Sequence, residues 1–114
     1  MPAKKKAKVV TQEKYAPPDL VIPKRLGGGV LKIYFVREVP SGVIVHYALA
    51  YINHLICNAD NGRVLGYDNS HGYSHRHYMN EKIDEPFTTY NEIYEKFMIE
   101  WRQIAMDFVK GSRK

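Results

Sequence analysis

"VLKIYFVREVPSGVIVHYALAYI" (residues 30–52) decides the fold. In its first half Leu31, Ile33 and Phe35 alternate with Lys32, Tyr34 and Val36, the period of a strand with two different faces. Pro40, Ser41 and Gly42 signal a turn, so the second half returns antiparallel. On the returning strand Val45, Tyr47, Leu49 and Tyr51 share one face, and His46, Ala48, Ala50 and Ile52 share the other. The apolar run continues to Cys57, interrupted by His46, Asn53 and His54. Its β-branched and aromatic content describes one long strand over residues 42–57 and not a membrane span. His46 and His54 then fall on its even face, as rim or core histidines.

Downstream, "NADNG" (residues 58–62) is a turn and "RVLGYD" (residues 63–68) a short strand. "NSHG" (residues 69–72) serves as the next connection, and "YSHRHYM" (residues 73–79) as a fourth strand. After "EPF" comes the one convincing helix, over residues 89–111. Thr89 with Glu92 forms a capping box. Ile93, Phe97, Trp101, Ile104 and Phe108 recur at steps of three and four, an apolar stripe that needs a sheet face to cover it. Upstream, residues 1–25 form a basic arm in which Pro17, Pro18 and Pro23 favour an extended course, followed by "LGGGV". The expected fold is α+β: an antiparallel meander of about four strands, a C-terminal helix packed on one face, and a flexible N-terminal arm. Residues 26–114 make up its single domain.

At 114 residues with a net charge of +5, the chain holds one modest core. The surplus charge sits at the ends, in Lys4, Lys5, Lys6, Lys8, Lys110, Arg113 and Lys114, where it serves as a solvated tail or as an electrostatic contact for nucleic acid or an acidic partner. The lone Cys57 excludes an intrachain disulfide and a multi-cysteine zinc site. With no apolar stretch after the basic start, it points to the cytoplasm and to no membrane association.

"GYDNSHGYSHRHYMNEK" (residues 66–82) holds three of the five histidines, His71, His75 and His77, with Asp68 upstream and Arg76 between the last two. With residues 69–72 as the turn, Asp68 pairs with Tyr73, Gly66 with His75 and Val64 with His77. Asp68, His75 and His77 then share a face, the histidines standing about 6.5–7 Å apart at the backbone. Gly66 leaves room there for a ligand or a neighbouring backbone. Three chemistries fit this face. Two imidazoles can act as general acid and base on a ribose 2′-hydroxyl and its leaving oxygen, with Arg76 or Arg63 on the phosphate. Asp68, His75 and His77, with His71 as an alternative third ligand, can hold a divalent metal. Asp68 can also simply orient His75 on a surface that does no chemistry. Arg63, Asn69, His71 and Tyr73 line the same hairpin as candidate substrate contacts.

The succession "YALAYI" (residues 47–52), "GRVLGYDN" (residues 62–69), "HRH" (residues 75–77), "EPF" (residues 85–87) and "EKF" (residues 95–97) resembles the TumE family, toxin components of bacterial toxin–antitoxin modules. The resemblance covers residues 30–100. It departs at "SHGYS", which adds His71, and at Ala48, where the family tends to carry a basic residue. It implies a cytoplasmic toxin whose partner is a helix-turn-helix antitoxin, with a homo-oligomer compatible with it, while the hairpin geometry makes RNA the substrate to expect. As an enzyme the chain would be a ribonuclease-like hydrolase or phosphotransferase, with Asp68, His75, His77 and Arg76 as its catalytic set and no cofactor unless the divalent metal applies. The alternative is a non-enzymatic module that binds protein or nucleic acid through the histidine-rich hairpin.

Overall fold

The alternation in residues 30–52 produces a hairpin of two long strands. In the computed structural model, which describes residues 9–112, these are β3 (Val30–Val39) and β4 (Ile44–Ile52). Leu31 pairs with Tyr51, Ile33 with Leu49 and Phe35 with Tyr47, so one face is apolar along its whole length. The sequence predicts β4 running on to Cys57, but it stops at Ile52. Asn53 ends it: buried, it donates from Nδ2 to Gly27 O and accepts the Leu55 amide on Oδ1, an Asx turn that bends the chain away. His54 therefore lies in the turn and not on the strand, its ring against Asn58. His46 stays on β4, exposed.

The sheet has seven strands where the sequence predicts about four. β1 (Thr11–Tyr15) and β2 (Leu20–Val21) both run along the outer edge of β3, separated by Pro17 and Pro18. Prolines that bar a helix leave this segment extended, and β3 offers it a long row of unpaired backbone groups. Arg37 with Glu13 and Lys32 with Asp19 fasten it from the side chains. β5 (Arg63–Asp68), β6 (His75–Tyr78) and β7 (Glu81–Asp84) follow β4, giving the order β1-β3-β4-β5-β6-β7 with β2 beside β3. β7 is the third unexpected strand. It returns through Met79 and Asn80, both at positive φ (50° and 70°), the conformation of the tight hairpin turn that matches strand twist. The lysine-rich start and Arg113 and Lys114 lie outside the described residues.

One long helix among the described residues, α1 (Tyr90–Ser112), crosses the sheet. The Thr89 hydroxyl accepts the Glu92 amide at its start, as the capping box requires. Ile93, Phe97, Trp101 and Ala105 are its buried positions, seated on Leu31, Leu49, Tyr51, Leu65 and Tyr67. The "GGG" loop packs against the same end of the helix: a Cβ on Gly27, whose φ is +116°, would lie 2.6 Å from that of Ala105.

Polar bonds pin the helix at mid-length. Tyr67 donates its hydroxyl to Glu100 (2.5 Å), while Arg76 donates to the Tyr67 oxygen (3.1 Å) and to Glu100 (3.1 Å). Phe97→Ala should cost about 3–5 kcal/mol in urea denaturation. The exposed Ile99→Ala should change stability by about 0.5 kcal/mol or less, and similar losses for both would mean that the helix presents a different face.

Candidate functional site

With α1 covering one face, the opposite face carries the polar residues of the central strands. Cross-strand partners align them in two rungs. One runs Tyr34, Ala48, Asp68, His75, Asp84; the other runs Lys32, Ala50, Gly66, His77, Lys82. Asp68, His75 and His77 thus share a face. The pairing partners differ from the sequence expectation by two residues: Asp68 lies opposite His75, and Gly66 opposite His77. A shift of two keeps every side chain on its face.

The shift has a local cause. Ser70–Gly72 forms a helical turn, and the Asn69 side chain reaches back to β4, accepting the Tyr47 amide (3.0 Å) and donating to Val45 O (2.9 Å). Ser74 is buried with its hydroxyl on that of Tyr47 (2.6 Å), so β6 cannot begin before His75.

The two histidines end in different environments. Arg63 is fixed by Asp60 (2.8 Å) and lies across Gly66, where a Cβ would come within 2.8 Å of its Cδ. The room left by Gly66 is filled by this guanidinium, which has only donors, so its contact at 3.1 Å makes Nδ1 of His77 the acceptor. Nε2 of His77 then carries the proton and donates to Asp68 (2.8 Å). Both ring nitrogens of His77 are occupied. Burial first, then the Arg63 charge, hold its pKa below the ordinary imidazole value, against the opposing pull of Asp68.

His75, 2% exposed, directs Nδ1 at the other Asp68 oxygen (3.5 Å). Its Nε2 is buried without a hydrogen-bond partner among the described residues, 3.9 Å from the Asp84 carboxylate. The Tyr73 ring meets the imidazole edge-on at 4.7 Å. Burial pushes the Asp68 carboxyl up, but the Ser70 amide, His77 and His75 outweigh it and hold it below the usual carboxylate range. An open cleft of about 730 Å³ adjoins the rung, lined among others by Tyr73, Ser74, Asp84 and Phe87.

Not every expected residue joins this cluster. Arg76 points to the opposite face, committed to Glu100 and Tyr67, because successive residues on a strand alternate. Arg63 belongs to the cluster but is engaged with Asp60, His77 and, at 3.8 Å, Asp68. Asn69 spends its amide on β4. His71 lies in the turn, and its side chain lies outside what the structure describes. Lys82 and Asp84 join this face through β7, a strand the sequence does not predict. Among the described residues no three His, Cys, Asp or Glu side chains are arranged to hold a metal ion; Asp68, His75 and His77 face one another instead. Cys57 is buried, with its thiol toward Ala59 O. Among the described residues no helix is long and apolar enough to cross a membrane.

Two measurements follow from the His77 environment. Its lowered value means that the folded state binds fewer protons than the unfolded one, so its contribution is complete above the unfolded value of about 6.5. That contribution is lost as the pH falls through the lowered folded value. Between about pH 7.5 and pH 5.5 the wild type should therefore lose more thermal stability than His77→Gln; parallel losses would contradict the assignment. Arg63→Gln should raise the His77 pKa in an NMR titration of the ring protons, and an unmoved or lower value would show that the guanidinium does not set it.

A family model described as toxin TumE matches residues 3–105. No curated protein and no solved structure matches the chain. The match spans most of the sequence: the chain belongs to the TumE family, and with it to the toxins of toxin–antitoxin modules.

Proposed function

We propose that this TumE-family toxin acts on RNA, with His75 as the general base. The observation that carries the proposal is the Nε2 atom of His75: buried, without a hydrogen-bond partner among the described residues, and 3.9 Å from Asp84 of the cleft wall, while Asp68 lies 3.5 Å from Nδ1. A carboxylate 3.5 Å from Nδ1 favours the proton on that nitrogen and leaves Nε2 as the atom able to take one, the division of labour that general-base catalysis requires. In this reaction Nε2 takes the proton of a ribose 2′-hydroxyl. O2′ attacks the neighbouring phosphorus, the bond from phosphorus to O5′ breaks, and the leaving oxygen takes a proton from water entering through the open cleft.

The paired roles expected for the two histidines divide in this proposal. His77, with both nitrogens in hydrogen bonds, serves with Asp68 and Arg63 as a positioning residue. Lys82 shares the face and lies opposite His77, exposed and without an ion pair among the described residues, so it replaces Arg76 as the cation for the phosphate. The inhibitory partner is an antitoxin of helix-turn-helix type.

A recognition surface without chemistry is the second proposal, favoured by how completely Asp60, Arg63, His77 and Asp68 bond to one another. Induced expression in bacteria separates the two. Wild type should arrest growth and cleave RNA, and His75→Ala, folded by circular dichroism, should cleave roughly 10²–10⁴-fold more slowly. Undiminished arrest by folded His75→Ala would remove the catalytic proposal and leave recognition.

A further inference from the structure

The cleft beside His75 has an unusual composition for a site on a nucleic-acid enzyme. Its walls include Ile44, Tyr73, Ser74, Asp84, Glu85 and Phe87, and among the described residues no lysine or arginine lines it. Glu85 is already neutralised by Lys96. The Ser74 hydroxyl is taken by Tyr47. Asp84 is different: its side chain is 84% exposed, and its one ion-pair contact among the described residues is His75 Nε2 at 3.9 Å. A cleft whose one uncommitted charge is a carboxylate repels phosphate. It accepts a flat, largely apolar group that carries N–H donors. Flat surface is available, because Tyr73 and Phe87 are 57% and 51% exposed although both are large aromatic residues.

The four bases differ in what they offer to one carboxylate. Guanine carries two adjacent donors on its Watson–Crick edge, N1–H and the N2 amino group, which match the two oxygens of a single carboxylate. Cytosine and adenine each place an amino group beside a ring nitrogen that accepts. Uracil has its one N–H between two carbonyls. For those three, the second carboxylate oxygen meets an acceptor.

We infer that the cleft is a guanine subsite, in which Asp84 accepts from N1–H and N2–H of a base stacked on Tyr73. The inference rests on the ribonuclease proposal for its consequence. His75 Nε2, buried 3.9 Å from Asp84 and without a hydrogen-bond partner among the described residues, is then completed by the 2′-hydroxyl of the same guanosine. The bond broken is the one from the 3′ phosphate to O5′ of the following nucleotide, and the product ends in guanosine 2′,3′-cyclic phosphate.

The test uses the full chain, calorimetric titration with guanosine, adenosine, cytidine and uridine 3′-monophosphates, and mapping of cut sites on a single-stranded RNA. Guanosine 3′-monophosphate should bind wild type ~10–100-fold more tightly than the other three, the range expected of a good bidentate pair. Asp84→Asn, which keeps one acceptor and turns the other into a donor, should lose that preference while keeping its fold. Tyr73→Ala should weaken all four nucleotides together. Cuts should fall after guanosine. Guanosine preference without RNA cleavage would sustain the subsite and remove the ribonuclease proposal. Cleavage with no base preference, or nucleotide binding that Asp84→Asn leaves unchanged, would overturn the subsite and leave the ribonuclease proposal standing, as would the absence of binding by any of the four.

Discussion

Burial of the Ile93, Phe97, Trp101 and Ala105 stripe against one face of the sheet is the constraint on which the rest of the molecule depends. A sheet has two faces, and among the described residues there is one long helix to cover them. Once α1 takes the face of Leu49, Tyr51, Leu65 and Tyr67, the opposite side of the central strands is left without a helix, and its polar residues must satisfy one another. On β5, alternation then sends Tyr67 into the core and Asp68 to the opposite, polar face. A slip of one residue would drive Asp68 against Phe97 and expose Tyr67, a loss of several kcal/mol in apolar burial plus the cost of desolvating a carboxylate. The apolar side therefore enforces the register that the polar side needs. Glu100 strengthens this coupling, since its bonds to Tyr67 and Arg76 fix the helix to the two strands that carry the histidine cluster on their reverse.

Alternation also explains what could be read from the sequence. The hairpin of β3 and β4, the helix with its cap, and the common face of Asp68, His75 and His77 all follow from periods of two and of 3.6. The same rule, applied to Arg76, sends it away from its two histidine neighbours, a consequence the pattern contains although proximity in sequence argues otherwise. The exact pairing of β5 with β6 was not legible, because it depends on Asn69 bonding across to Tyr47 and Val45 on a strand some two dozen residues earlier. Nor was Arg63. Its reach across Gly66 requires the irregular pairing between Tyr51 and Ile52 and the anchoring carboxylate of Asp60, neither of which leaves a periodic trace. β7 was hidden by its turn, since a methionine at positive φ is rare and sends no turn signal.

The pair His75 and His77 looks symmetrical in "HRH", yet symmetry on one strand is broken by the neighbouring strands. Opposite His77 stands Gly66, and the space it leaves admits Arg63; opposite His75 stand Asp68 and Asp84, two carboxylates and no cation. One imidazole is thereby saturated and the other left incomplete. An unsatisfied buried polar atom costs about 1–3 kcal/mol, a substantial share of the stability of a chain this size. Trp101 Nε1 is in the same condition, but its ring packs into the core, tilted against Tyr51 with centroids 5.5 Å apart. His75 Nε2 instead faces a residue of the cleft wall, so a ligand can recover there what folding gave up. A network that satisfies every member except the one atom beside a cleft is organised around that atom, and it is this asymmetry, more than the number of histidines, that makes the hairpin a candidate site.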